Sequence, residues 1–180
     1  MPNTELACKV FTLAQLTRHW TERFLKKEMK LMVKLRHKNI CYAYDVYKMR
    51  SKAFIFMKFA ENGPLDTWMD KNGGRLKEQQ ANKFFYGLMC GLNYLHQLNI
   101  AHRDLKLDNF LLDENLEPMI TDFGFSVLSN SPEEYRIMRN TLCGTNLYLA
   151  PEVRIMSKTG YDAKKSDIYS MGMSKWGFPA

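Results

Sequence analysis

The segment AHRDLKLDNFLL, residues 101–112, constrains this chain more than any other stretch of its sequence. It places Asp104, Lys106 and Asn109 within six residues, immediately before the apolar triplet FLL. A solvated loop needs polar side chains, but it has no need of a carboxylate, an ammonium and a carboxamide in a fixed order. Chemistry on a polyanion uses all three, as a base, a counter-charge and an oxygen ligand for a cation. The segment therefore predicts a site for such chemistry.

A second polar segment, ITDFGF at 120–125, follows a stretch that is typical of a short hairpin. The residues FLL and PMIT would form its strands, with DENLE as the turn between them. Such a hairpin returns the chain to its starting point, so we expect Asp122 and Asn109 to face one point. A carboxylate and an amide oxygen, completed by phosphate and water, are ligands that suit Mg²⁺. Asp104 is then left for a separate task.

The length of 180 residues, with 46% apolar and 13% aromatic residues, indicates one globular domain or a little less. No apolar run approaches the length that spans a bilayer, so no membrane partner is expected. The N-terminal MPNTELACKVF lacks the charged start and long apolar middle of a signal peptide, which favours a cytoplasmic location, or a nuclear one. The four cysteines are scattered without a CxxC pair, which argues against a zinc site or a disulfide framework.

The formal net charge is +7, and basic residues concentrate between positions 18 and 38. A basic cluster of this kind is one signature of nucleic-acid binding. The apolar residues at 24, 25, 29, 32 and 35 instead form the stripe of an amphipathic helix whose outer face is basic. The regularity of that stripe favours the helix. We therefore expect no nucleic-acid partner, although a basic surface attracts acidic or phosphorylated proteins.

The rest of the chain has the pattern of strands and one helix, followed mostly by helices. Three segments have the composition of strands, the first of them expected to be buried: 6–11, 41–48 and 52–59. Beyond the breaker ENGP, three segments have helical spacing: 65–71, 78–97 and one that begins within 166–172. Residues 126–146, rich in Ser and Asn, predict a mobile loop. This order predicts an α+β chain in which a small lobe joins a helical one near 59–64.

Five motifs in a fixed order resemble the signature set of eukaryotic protein kinases. They are LACKVF, with Lys9 as the ATP-anchoring lysine; FLKKEM, with Glu28 as its ion-pair partner; HRDLKLDN; DFG at 122–124; and LAPE at 149–152. SDIYSMG is similar to a later segment of the family, so the resemblance covers about residues 5–174. The HRDLK form is typical of the serine/threonine branch. FLKKE, DFGF and YDAKKSDIYSMG most resemble the testis-specific serine/threonine kinases and the calmodulin-dependent group.

The resemblance implies a protein kinase-like α+β fold that is truncated at both ends. Residues 1–59 would form a partial N-lobe with a sheet and one helix, and 60–64 the hinge. Residues 65–180 would form a partial helical C-lobe. The implied activity is ATP-dependent phosphoryl transfer to serine or threonine hydroxyls of protein substrates, with ATP and Mg²⁺ as nucleotide and metal.

Each motif residue takes a role from the resemblance. Asp104 would accept a hydrogen bond from the substrate hydroxyl, while Lys106 would meet the γ-phosphate and its developing charge. Asn109 and Asp122 would hold magnesium ions that bridge phosphate oxygens. Lys9 would grip the α- and β-phosphates.

Further residues are implied around the nucleotide. Those placed at the adenine are Ala7, Met57, Phe59, Ala60 and Leu111, and each has plain core packing as its alternative. Thr145 stands where the branch has a threonine that bridges Asp104 and Lys106. Thr141 aligns with the activation-loop phosphosite, where a phosphate could pair with Arg103, although an ordinary loop hydroxyl is the alternative. His102 resembles a packed core residue of the family, not a catalytic one.

The sequence departs from the family pattern at several points. No glycine-rich loop precedes Lys9, Lys58 replaces the acidic residue usual at the hinge, and Pro64 stands where an acidic residue often contacts ribose or substrate. The chain also stops soon after its last helix begins, so the apolar face of 168–176 would need a chaperone or regulatory partner as cover. These departures keep a second hypothesis open, a catalytically silent kinase-like protein that acts as a binding module.

Overall fold

The computed structural model describes residues 5–15, 25–128, 144–155 and 160–176, without the side chains of 15, 26–28, 175 and 176. Strands are the main regular elements up to residue 58, and helices are the main regular elements in the described residues beyond it. The predicted α+β fold class is therefore confirmed. Within the described ranges, no helix is long and apolar enough to cross a membrane.

The first part of the chain forms an antiparallel three-stranded sheet with the spatial order β1-β3-β2. Its strands are β1 (Leu6–Thr12), β2 (Ala43–Met49) and β3 (Lys52–Lys58). The central strand β3 turns Ala53, Ile55 and Met57 towards the core, where all three are buried. In the register, Lys9 lies opposite Ile55, so Lys9 shares the inner face with these residues.

The strand β1 is present as predicted, but the expectation that it is buried was wrong. Its residues alternate between exposed and half-buried, and Leu6 and Val10 are 43% and 49% exposed. Among the described residues, β1 pairs with β3 alone and so lies at the edge of the sheet. The apolar composition of LACKVF favours a strand but does not distinguish an edge from a centre.

The two predicted helices at 65–71 and 78–97 are present with the predicted bounds, whereas the short helix at Pro151–Arg154 was not predicted. The helices of the described residues are α1 (Lys26–Met32), α2 (Leu65–Lys71), α3 (Glu78–Gln97), α4 (Pro151–Arg154) and α5 (Ala163–Trp176). The helix α5 begins before the predicted 166 because the Asp162 carboxylate accepts the N–H groups of Lys164 and Lys165 as a cap. Residues 18–24 of the expected basic helix lie outside the described residues, and α1 ends at Met32, so Leu35 of the predicted apolar stripe lies beyond the helix.

Two small sheets carry the segments between and after these helices. The first has the order β4-β6-β7, with β4 (Gly63–Pro64), β6 (Phe110–Leu112) and β7 (Pro118–Ile120). The second pairs β5 (Ile100–Ala101) with β8 (Val127–Leu128). The predicted hairpin is thus formed by β6 and β7. Most of the loop predicted at 126–146 falls on 129–143, outside the described residues.

Asn39 connects the hairpin to the long helix α3. Its side-chain amide donates to the Pro118 carbonyl at 2.8 Å, and its own carbonyl accepts the Ile120 N–H at 2.9 Å. The helix approaches this residue through Gly87 and Gly91, which share one face because they are four residues apart. A Cβ added to Gly91 would lie 2.7 Å from the Asn39 carbonyl oxygen. The two glycines therefore form the groove that accepts Asn39.

We expect Gly91→Ala to lower the free energy of unfolding by about 1–3 kcal/mol, because a rigid backbone oxygen occupies the space of the new methyl group. Gly172→Ala in α5 is the matched control, since no described atom lies within 4 Å of its added Cβ. The control should be neutral or gain about 0.5–1 kcal/mol from helix propensity. Urea unfolding of both variants measures the difference, and equal midpoints would contradict the close packing.

Candidate active site

A buried carboxylate positions the segment that carries the predicted catalytic residues. Asp167, at the start of α5, is 1% exposed, and its Oδ1 accepts the Arg103 N–H at 2.8 Å. Its Oδ2 accepts the His102 N–H at 2.8 Å and lies 2.9 Å from Nε2 of His96 on α3. Two helices thus fix the backbone immediately before Asp104.

Two residues of the site have left-handed backbone conformations. Arg103 has φ of 71° and Asp122 has φ of 64°. A residue other than glycine loses about 1–2 kcal/mol in this region. The bonds from Asp167 hold the first of these conformations, which turns the chain so that Asp104 follows with its side chain in the site.

His102 is a packed structural residue, as the sequence predicted. It is fully buried, and its ring lies 5.2 Å from the Phe123 ring in an edge-to-face contact. Its Nδ1 accepts the Asp104 N–H at 3.3 Å, so Nε2 carries the hydrogen that it shares with the Thr121 carbonyl at 2.9 Å. The ring therefore ties the HRD segment to the DFG segment.

Asp104, Lys106 and Thr145 meet in one polar network. The Lys106 ammonium donates to the Thr145 hydroxyl at 3.0 Å, and this hydroxyl donates to Asp104 Oδ1 at 3.3 Å. The Lys106 nitrogen also lies 3.6 Å from Asp104 Oδ2. Thr145 thus lies next to the HRD segment, although it is 39 residues from Lys106 in the sequence. The network fixes a carboxylate and an ammonium side by side.

Asn109 is buried against the same carboxylate. Its side-chain nitrogen donates to the Asp104 backbone oxygen at 2.8 Å and to Oδ2 at 3.0 Å. Both amide hydrogens are therefore used within the segment, which orients the carboxamide. The oxygen of this side chain is the group that can ligate a cation.

Asp122 forms an ion pair with Lys9, 113 residues away in the sequence. The Lys9 nitrogen lies 3.1 Å from Asp122 Oδ1, and the two side chains are 34% and 43% exposed. Burial acts to raise the pKa of Asp122, but the Lys9 charge and the N–H of Gly124 outweigh it and hold the pKa below its usual value. The backbone of Glu28 lies in α1, while its side chain lies outside the described residues.

The oxygens of Asn109 and Asp122 suit a magnesium ion that is completed by phosphate. The Thr121 N–H donates to the Asn109 carbonyl at 3.0 Å across the hairpin, which places Asp122 next to Asn109. Within the described residues, no cluster of three His, Cys, Asp or Glu side chains could hold a metal alone. Magnesium is commonly bound by one or two protein oxygens together with substrate phosphates, so the pair fits this ion.

Most of the residues predicted at the adenine belong to the main core cluster or pack against it. Met57 is buried, and Ala7, opposite it in the register, is half-buried. Ala60 and Leu111 pack against the same core cluster. Phe59 differs from these residues, because 37% of it is exposed. Thr141 lies outside the described residues, and Arg103 is buried.

Asp167 was not among the residues predicted for the site from the sequence. A signal for a buried carboxylate was present in SDIYSMG, where Asp167 lies next to apolar residues of the predicted helix. Its partners are 64 to 71 residues away, so spacing within the segment could not identify them.

We expect Asp167→Asn to lower the free energy of unfolding by about 1–3 kcal/mol, because one acceptor oxygen becomes a donor that faces buried N–H groups. Asp162→Asn makes the same chemical change at the helix cap, where asparagine serves equally well. Thermal unfolding compares the two, and hydrogen exchange should accelerate at the amides of 102 and 103 in the first variant alone. Unchanged exchange there would contradict the anchoring role.

Acid should weaken the protein partly through Asp122. A carboxyl whose pKa is lowered in the folded state stabilises that state above its unfolded pKa of roughly 3.9, and this contribution is lost as the pH falls through the lowered value. Asp122→Asn removes this titration. The stability lost between pH 6 and pH 3, measured by urea unfolding, should therefore be smaller in the variant, and parallel curves would contradict the ion pair.

The sequence of this chain is similar to those of protein kinases. The sequence profile of the protein kinase domain matches residues 2–176. CBL-interacting protein kinase 15 of Oryza sativa subsp. japonica is 37% identical over 171 residues, which cover 95% of this chain and 38% of that protein. CBL-interacting serine/threonine-protein kinase 14 of Arabidopsis thaliana is 38% identical over 168 residues, with coverages of 93% and 37%. The chain thus spans somewhat more than a third of the length of these relatives.

Proposed function

Because this chain belongs to the protein kinase family, as its motifs predicted, we propose that it transfers the γ-phosphoryl group of ATP to serine or threonine hydroxyls of protein substrates. The observation that carries the proposal is the network in which Asp104, Lys106 and Asn109 meet around one carboxylate. This arrangement offers an acceptor for a hydroxyl proton, a cation for a phosphate and an oxygen ligand for a metal within one site.

Asp104 orients the hydroxyl that attacks. One of its oxygens accepts from Thr145 and the other from Asn109, which holds the carboxylate in a fixed orientation. A loose transition state needs little proton abstraction, so a positioned carboxylate is sufficient to direct the nucleophile. Lys106, held 3.6 Å from Asp104, supplies positive charge to the transferred group.

The other end of the site binds the phosphates. Lys9 would contact the α- and β-phosphates, with Glu28 as its partner. Asn109 and Asp122 would hold magnesium, which neutralises charge on the phosphate oxygens when bound. The 3.1 Å contact between Lys9 and Asp122 supports this assignment, because it brings the sheet and the DFG segment to the same place.

We assign the nucleotide base to the edge of the core formed by Ala7, Met57, Ala60 and Leu111, with the backbone of Phe59 beside them. Residues 60–64 are then the hinge, and 1–59 and 65–180 are the two lobes on either side of it. The packing of Ala7, Ala60 and Leu111 against one apolar cluster supports this assignment.

The test is transfer of labelled phosphate from ATP to a generic protein substrate by the purified chain. Asp104→Asn should reduce the rate about 10²–10⁴-fold, because the acceptor for the hydroxyl proton is lost. Asp70→Asn, an exposed position on α2, makes the same chemical change away from the site and should leave the rate unchanged. Equal rates for Asp104→Asn and the unaltered chain would contradict the assignment.

A second measurement separates an enzyme from a silent nucleotide binder. Ligand at 100 times its Kd adds about 2.7 kcal/mol to the stability, which a thermal shift with ATP and Mg²⁺ detects. A shift together with transfer supports the kinase. A shift without transfer identifies a catalytically silent kinase-like protein, and the absence of both contradicts nucleotide binding.

A further inference from the structure

The segment 59–62 joins β3 to β4, and we call it the connector. At its start, the Lys58 ammonium donates to Asp113 Oδ2 at 2.8 Å. The Lys58 side chain is 31% exposed and that of Asp113 only 8%, so the pair is largely shielded from water. A charge-assisted hydrogen bond of this length is among the stronger polar contacts in proteins.

The end of the connector is bonded to the same residue. The side-chain amide of Asn62 donates to the Asp113 backbone oxygen at 2.7 Å. The Asn62 N–H also donates to the Leu112 carbonyl at 3.1 Å. Both ends of the connector are thus attached to Asp113 and its neighbour, with Phe59, Ala60 and Glu61 between the two attachments.

Asp113 is itself held by the hairpin turn. Its Oδ1 accepts the N–H groups of Asn115 at 3.0 Å and Glu117 at 2.9 Å. Burial acts to raise the pKa of Asp113, but the bond from Lys58 and these two N–H groups hold the pKa below its usual value. The carboxylate is therefore charged at neutral pH and fixed on a rigid element.

The backbone of Lys58 is restrained as well. Its N–H donates to the Tyr42 carbonyl at 3.3 Å, and its carbonyl lies 3.7 Å from the Cys41 sulfur. Burial raises the pKa of the Cys41 thiol, so the sulfur keeps its hydrogen and can donate to this carbonyl. Side chain and backbone thus both fix Lys58 at the start of the connector.

From this geometry we infer that Lys58 and Asp113 are a positioning pair for the nucleotide. Their bond holds the connector in place relative to Leu111, so that the space between them accepts the adenine ring. The inference rests on the proposed function, since it assigns the connector backbone to the base. A connector that is already ordered loses less conformational entropy on binding, which is how a pair that does not touch the ligand raises its affinity.

The experiment measures the Kd of ADP with Mg²⁺ by calorimetry on the full chain. Lys58→Met keeps most of the aliphatic stem and removes the charge, while Asp113→Asn keeps an oxygen for the turn. Each single variant should weaken ADP binding roughly three- to tenfold. The double variant should bind no more weakly than the single variants, because all three lose the same Lys58–Asp113 bond.

Lys58→Arg keeps the positive charge and should restore the affinity. Lys52→Met, at the exposed start of the same strand, is the matched control and should bind like the unaltered chain.

Three other results would contradict the positioning pair or the proposed function. Tight binding by Lys58→Met, or additive losses in the double variant, would overturn the positioning pair and leave the proposed function intact. A lower melting temperature with unchanged Kd would show a purely structural bond and would also overturn it. Absence of ADP binding by the unaltered chain would overturn the proposed function, and the inference with it.

Discussion

The carboxylate of Asp167 is the group on which the arrangement of the site depends. It accepts the N–H groups of His102 and Arg103 and contacts the His96 ring, so α5, α3 and the HRD segment share one buried charge. Removal of these bonds would let the left-handed backbone at Arg103 relax. Asp104, Lys106 and Asn109 all follow within six residues, and their directions depend on this anchor.

Features that depend on neighbours in the chain were predictable from the sequence. The apolar spacing of 78–97 predicted α3 with its observed bounds, and the strands FLL and PMIT predicted the hairpin that sets Asn109 opposite Thr121. The ordered motifs predicted the family that the profile confirms. For the helix and the hairpin, the signal and the structure lie within one short segment, where periodicity and turn chemistry decide the outcome.

Contacts between distant segments were not predictable in this way. Lys58 bonds to Asp113, which is 55 residues away, and Asp167 bonds to His102, which is 65 residues away. The sequence around Lys58 or Asp167 does not indicate which distant residue is the partner. The edge position of β1 has the same cause, because strand composition does not specify which neighbours pair with it. The roles of Glu28 and Thr141 stay predictions, since the side chain of the first and all of the second lie outside the described residues.

The strand β6 connects the two ends of the proposed nucleotide site. Asn109 precedes it and Asp113 follows it, so three strand residues, about 10 Å of extended chain, lie between the proposed metal ligand and the anchor of the connector. The strand is paired on both sides, with β4 and β7, and cannot slide without the loss of both ladders. The residues proposed for the base and for the phosphates are consequently joined by a single short strand, and the bond from Lys58 connects the three-stranded sheet to the end of that strand.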